Sequence, residues 1–161
     1  MDTIAAAARR HPRLGFVVAN ADRFLPYADA SFRIVTSVTA RTNAAEFRRV
    51  LQDDGRLVLV VPAADDLIEL RAAILGERIE RDRTPSAIAA LSPPFTLERH
   101  ERLRRVVRLD PASIRDVMAA SYRALRTSQR ARLTALGPLS VTLSRDVLLF
   151  RPAEPRAPAS P

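Results

Sequence analysis

The sequence predicts an α/β fold, a doubly wound sheet with helices packed against it, and the stretch from Ala44 to Pro62 carries most of that inference. Its first half has helical spacing: Phe47, Val50 and Leu51 share a face, while Glu46, Arg48 and Arg49 point elsewhere. Its second half, Leu57 to Val61, is an unbroken apolar run closed by Pro62, as in a strand buried on both faces of a parallel sheet. Between them Asp53-Asp54-Gly55 is expected to break the helix, with Gly55 supplying a turn at positive φ. Helix, turn and buried strand make one αβ unit.

Ile4 to Arg10 reads as the end of an Ala-rich helix, stopped by His11-Pro12 because a residue before proline avoids helical geometry. Leu14 to Ala19 reads as a short buried strand, and Asn20 to Arg23 as the polar loop at its carboxyl end. Phe32 to Val38 is the next strand, and the unit described above follows. Asp65 to Leu75 has Leu67, Ile68, Leu70, Ile74 and Leu75 at helical spacing and is ended by Gly76. Glu77 to Pro94 is charged, poorly periodic and interrupted by Pro85, Pro93 and Pro94, which predicts a mobile connection. Phe95 to Leu109 sets Leu97, Leu103, Val107 and Leu109 among Arg and Glu, as a strand near a sheet edge does.

Asp110-Pro111 suits a helix start, with Asp as N-cap and Pro in the first turn. Ile114, Val117, Met118 and Tyr122 form its apolar stripe, and Arg123 to Arg132 is expected to continue it. Leu139 to Phe150 is a last alternating strand. The sequence thus divides into a domain over 1–151 and a Pro- and Ala-rich tail over 152–161, expected to be disordered. Val58 to Val61 should be the most deeply buried run, between Phe32–Val38 and Leu139–Phe150.

At 161 residues the chain suits one domain with a real core, and no apolar run reaches membrane-spanning length. The N-terminus lacks the charged head and apolar core of a secretory signal. With no Cys, neither a disulfide framework nor a thiolate metal site can form. His11 and His100 have no ligand at metal-binding spacing, so no metal is expected, and a cytoplasmic protein is the plain reading. The net charge is +8, and all 26 basic residues are Arg. This fits an RNA partner, since Arg suits phosphate and base stacking, but a GC-rich coding sequence accounts better for the missing Lys.

Two segments carry a resemblance. Glu46-Phe47-Arg48-Arg49-Val50-Leu51, with Gly55-Arg56-Leu57-Val58, is similar to the segment before the fifth strand of class I S-adenosylmethionine-dependent methyltransferases. Leu25-Pro26-Tyr27-Ala28-Asp29-Ala30-Ser31-Phe32 resembles the stretch leading into that superfamily's fourth strand. Within the superfamily, the order of elements from Ile4 to Arg151 is most similar to the carboxyl-terminal two thirds of the bacterial large-subunit ribosomal RNA guanine-N1 methyltransferases. Ala5 to Pro12, Val17 to Asp22, Leu67 to Arg71 and, in weakened form, Met118 to Ala124 carry that closer likeness.

The resemblance implies an incomplete Rossmann-like class I methyltransferase sheet, with strands 3 to 7 and flanking helices present and strands 1 and 2 absent. The family's Cys-based zinc module has no counterpart here, and Gly15, Gly55, Gly76 and Gly137 are too far apart to form its glycine-rich cofactor loop. Arg33, Arg41 and Asp66 depart from the family's Asp, Pro and His. With strands 1 and 2 gone, three outcomes stand open. Leu14–Ala19 closes onto Phe32–Val38, or a complementing chain or second copy pairs with the exposed edge, or the chain is unstable.

The resemblance also implies S-adenosylmethionine as cofactor, bound with impairment, and methyl transfer to guanine N1 of ribosomal RNA. The alternative is a catalytically inactive remnant or an interaction module completed by another chain. Asn20 and Asp22 would lie against adenine, or form a solvated loop pair. Asp66 would face the cofactor, or complement a helix dipole. Arg41 and Asn43 would hold a guanine edge or phosphate, though Asn43 also suits a helix N-cap. Tyr122 and Arg123 would stack on and clamp RNA, or Tyr122 would pack in the core.

Overall fold

Helix and strand follow each other without a turn in the central unit of the computed structural model, which describes residues 3–76, 78–121 and 125–153. Asn43 caps α2 (Ala44–Val50), and β2 (Leu51–Pro62) begins at the next residue. Gly55 therefore does not take the positive φ expected of it; among glycines that conformation is recorded at Gly76, which ends α3 (Ile68–Leu75) at φ 75°. What Gly55 provides is space. The register between β1 (Phe32–Val38) and β2 shifts between Phe32 and Ile34, and a Cβ on Gly55 would lie 2.9 Å from the Arg33 carbonyl oxygen.

Four strands form one sheet in the order β1-β2-β4-β3, with β3 at Phe95–Leu109 and β4 at Leu139–Pro152. β1 and β2 are parallel, and the β2–β4 and β4–β3 pairs are antiparallel. β2 thus lies between the two strands expected to flank it, and β3 is an edge strand, as its alternation suggested. Residues of opposite parity on β4 serve two cores, because successive side chains point to opposite faces. Leu148 and Phe150 join Phe47, Leu57, Leu59, Leu91 and Phe95 on one face. Val141 joins Leu70, Ile74, Ile114 and Met118 on the other, where α3 and α5 (Pro111–Ser121) pack.

Several expectations need correction. Leu14–Ala19 is not a strand: it has no ladder partner and lies exposed, with Val18 77% accessible. It does not close onto β1, so the outer edge of β1 has no strand beside it among the described residues. Five strands were expected and four form among the described residues. Val58 to Val61 is not uniformly buried either. Leu57 and Leu59 are fully buried; Val58 and Val60, on the opposite face, are half-buried because α3 and α5 cover β4 and β3 rather than the middle of β2, and Val61, on the face of Leu57 and Leu59, is half-buried too.

The expected connection over 77–94 contains α4 (Thr84–Leu91), with Pro85 in the first turn and Leu91 fully buried. Proline there starts a helix instead of breaking one. α5 is N-capped as read, Asp110 Oδ1 accepting from the Ser113 N–H at 2.8 Å, but it does not run on to Arg132. A separate α6 (Thr127–Ala135) begins after residues 125–126. The first helix, α1, spans Thr3–Arg10. Pro152 is part of β4 and the Ala153 N–H donates to Pro94; residues 154–161 of the expected tail lie outside the described residues.

Candidate functional site at the carboxyl ends of the parallel strands

Because β1 and β2 are parallel, their carboxyl ends open on the same rim, the place where open α/β sheets hold ligands. The chain leaves β1 through Thr39, whose φ of 49° is unfavourable for a β-branched residue, and its N–H donates to the Val60 carbonyl at 2.9 Å. A pocket lies on each side of this exit. One, about 350 Å³, runs along the unpaired edge of β1 and is mostly apolar, lined by Leu25, Phe32, Ile34, Val38 and Arg41 among others. The buried Ser37 Oγ, which also lines it, has no hydrogen-bond partner. The other, about 460 Å³, lies between Thr39, the end of β2 and the start of α3, and is lined by Asp66, Arg71, Arg81, Arg83 and Arg145.

Asn20, Asp22, Arg41 and Asn43, singled out in separate stretches, come together at this rim. Asn20 Oδ1 accepts from the Asp22 N–H at 3.1 Å. Arg41 Nε lies 3.4 Å from Asp22 Oδ2 in an exposed ion pair. Asn43 Oδ1 accepts from the Glu46 N–H, and its Nδ2 donates to the carbonyls of Ala21 and Asp22 at 3.1 and 3.2 Å. Asn43 is thus a helix cap that also pins the 20–22 turn, the plainer of its two readings. Tyr122 and Arg123 lie outside the described residues.

Asp66 is committed elsewhere in the fold. Where β2 stops at Pro62, β4 continues, and its backbone needs acceptors. Asp66 Oδ1 accepts from the Ser144 N–H at 2.9 Å and also pairs with Arg145. Glu69 accepts from the Thr142 N–H and hydroxyl at 2.9 and 2.8 Å. Burial would raise the Glu69 pKa, but these Thr142 bonds hold it below its ordinary value. The two carboxylates complete the sheet edge in place of a strand.

The same geometry explains the two motif segments. Arg49 donates to the carbonyls of Leu25 and Tyr27 at 2.8 Å each and to Asp29 at 2.7 Å, and it lies over the Phe24 ring. Glu46 accepts from Arg49 and from the Leu25 N–H, and these contacts hold its carboxyl at about 2 despite partial desolvation. The 25–32 loop and α2 are therefore clamped together, which sets the position of β1.

Two groupings escaped the sequence reading. The first is the arginine-lined pocket, because Arg81 and Arg83 lie in the stretch read as a connection. The second surrounds Asp146, whose side chain is fully buried. Arg102 grips it through Nε at 2.9 Å and Nη2 at 3.0 Å, His100 Nε2 lies at 2.8 Å, and the Thr84 hydroxyl donates at 3.0 Å. Burial pushes the Asp146 pKa up, but the bonds from Arg102, His100 and Thr84 outweigh it and bring the carboxyl to about 2. Only the alternation of His100 and Arg102 on β3 opposite Asp146 hinted at this cluster. No group of three or more His, Cys, Asp or Glu able to hold a metal occurs among the described residues. No described helix is long and apolar enough to cross a membrane.

No protein-family model matches the chain. It is 32% identical over 151 residues to the 23S rRNA (guanine(748)-N(1))-methyltransferase of Streptomyces fradiae, an alignment spanning 94% of this chain and 48% of that protein. It is 31% identical over 150 residues to a candidate 23S rRNA guanine-N1 methyltransferase of Micromonospora griseorubida, spanning 91% and 51%. The chain therefore spans about half the length of these curated relatives. Among solved structures, a candidate methyltransferase from Bacillus halodurans superposes with a TM-score of 0.54 at 16% identity, over 84% of this chain and 70% of that one. The YcgJ protein from Bacillus subtilis gives a TM-score of 0.51 at 18% identity, over 94% of this chain and 77% of that one. Over nine-tenths of its length the chain is thus similar to 23S rRNA guanine-N1 methyltransferases, and it shares its fold with a candidate methyltransferase of known structure.

Proposed function

We propose that this chain takes part in methyl transfer from S-adenosylmethionine to N1 of a guanine in 23S ribosomal RNA. The observation that carries the reading is the 31–32% identity to 23S rRNA guanine-N1 methyltransferases across more than nine-tenths of the chain. In this reaction guanine N1 would lose its proton to solvent water and bond to the methyl carbon as the carbon–sulfur bond breaks, with S-adenosylhomocysteine as the leaving group. Such chemistry asks chiefly for alignment of donor and acceptor.

The residues of the rim suit parts of the cofactor. The apolar pocket along β1 suits an adenosyl group; the unpartnered Ser37 hydroxyl lines it, and Asp22 stands next to it, paired with the lining Arg41. When bound, S-adenosylmethionine supplies the activated methyl group; Arg41, largely exposed beside the pocket, is positioned to meet the RNA. Asp66 is spent on Ser144 and Arg145, so it holds β4 rather than cofactor in this account. Transfer of labelled methyl from saturating S-adenosylmethionine to 23S RNA tests the proposal. Label at a guanine whose pairing edge is then blocked supports it, and no label above a protein-free control contradicts it.

The bare outer edge of β1 favours a second reading, an interaction module completed by a further strand from another polypeptide. Light scattering at a monomer mass, with methyl transfer intact, would set that reading aside.

A further inference from the structure

The apolar pocket beside β1 has the form of a strand slot. Consecutive residues of β1, from Ile34 to Val38, all line it, although their side chains alternate between the two faces of the sheet. The space therefore lies along the open edge of the strand and not over one face. Ile34 and Val38 are each more than half exposed, and no strand pairs with that edge among the described residues. An open edge flanked by apolar side chains is a template for a further strand.

Leu14–Ala19 is the complementary element. It is uncharged, it has the composition of a strand, and Leu14, Val17 and Val18 are each more than half exposed. A Cβ on Gly15 would meet no atom within 4 Å beyond its chain neighbours. The segment is nevertheless tethered at the mouth of the slot. Asn43 Nδ2 donates to the carbonyls of Ala21 and Asp22, and Ala21 itself lines the slot, whereas none of residues 14–19 does.

We propose that the slot beside β1 receives Leu14–Ala19 of a second copy of this chain, the two copies exchanging segments about a two-fold axis. The inference rests on the second reading above, under which the slot takes a strand and not an adenosyl group, and it names the polypeptide that supplies the strand. The segment brings what the edge lacks, backbone donors and acceptors on an apolar run about as long as the 7 residues of β1. In such strand addition the main-chain bonds give affinity, and the alternating side chains give register. Each copy carries one slot and one segment, so the exchange covers both at once and closes on itself instead of growing into a fibre.

The test uses the full 161-residue chain, which contains no cysteine, so an introduced thiol is unique. Light scattering over a concentration series should show a dimer. Val18→Asp should raise its dissociation constant at least about ten-fold, because a carboxylate would enter the apolar slot. The same variant should leave the unfolding temperature of dilute monomer unchanged, since Val18 is exposed there. Val18→Cys and Thr36→Cys chains, one of them tagged, are mixed dilute, concentrated and treated with a short bismaleimide; Thr36 is exposed on β1. A cross-linked pair containing one chain of each kind supports the exchange. A dimer that Val18→Asp leaves intact overturns it by placing the contact elsewhere. So does a Val18→Cys/Thr36→Cys double variant that cross-links only within single chains, since each segment then fills its own slot. A monomer at every concentration overturns the exchange alone and leaves the strand to a different polypeptide; the second reading falls with it only where methyl transfer is also intact.

Discussion

Asp146 shows how one side chain sets a pH dependence. Its carboxylate is buried among Arg102, His100 and Thr84 and titrates at about 2 rather than at its ordinary 3.8. A depressed folded-state pKa stabilises the fold above the unfolded value and loses that stabilisation as pH falls through the folded one. We expect roughly 1–2 kcal/mol from this group at neutral pH, allowing for the solvent-facing side of Arg102. Urea midpoints of the native chain and Asp146→Asn should differ at pH 7 and converge as the pH falls from about 4 towards 2. A constant difference would assign the stabilisation to shape rather than charge. Gly55 makes a steric counterpart. A Cβ there would lie 2.8 Å from Leu51 Cγ and 2.9 Å from the Arg33 carbonyl oxygen. Gly55→Ala should therefore cost about 1–3 kcal/mol, read as a lower unfolding temperature. An unchanged temperature would show that the β1–β2 crossing can widen.

Among the elements, β2 decides how the core is built. Leu59 is fully buried on the face shared with Phe47 and Leu148, while Val60 is half-buried on the other. Leu59→Asp should therefore destabilise by several kcal/mol, and Val60→Asp by clearly less. Equal losses in thermal unfolding would restore the two-sided burial that the apolar run suggests. Composition cannot separate the two cases, because Val-Leu-Val-Val is equally apolar on both faces, and which face is covered depends on where α3 and α5 dock. β1, α2 and the β4–β3 edge were legible because their periodicity and caps are local. α4 was not, because Pro85 reads as a break until its place in a first turn is known. Leu14–Ala19 has the composition of a strand, but pairing depends on a neighbour that lies beyond any local pattern. Asn20, Asp22, Arg41 and Asn43 were singled out from loop positions and the resemblance; that they meet one another at the rim follows only from the fold. The arginine pocket was not, because Arg71, Arg81, Arg83 and Arg145 converge only through tertiary contact.

For the whole molecule, the rim at β1 and β2 joins an apolar pocket to one lined by arginine. The four glycines are isolated, at Gly15, Gly55, Gly76 and Gly137, so the 161-residue chain brings no glycine-rich loop to the apolar pocket. Each hydrogen bond such a loop would make is worth about 0.5–3 kcal/mol, so several together span decades in affinity. Calorimetry should accordingly find S-adenosylmethionine binding weaker than low-micromolar; tight binding would show that the described residues suffice. The most direct test of the central proposal is made on RNA from the cell. Methylation at guanine N1 blocks base pairing, so reverse transcription across 23S RNA should stop next to one guanine when the gene is present and read through when it is deleted. Identical profiles from the two strains would contradict a 23S guanine-N1 methyltransferase role.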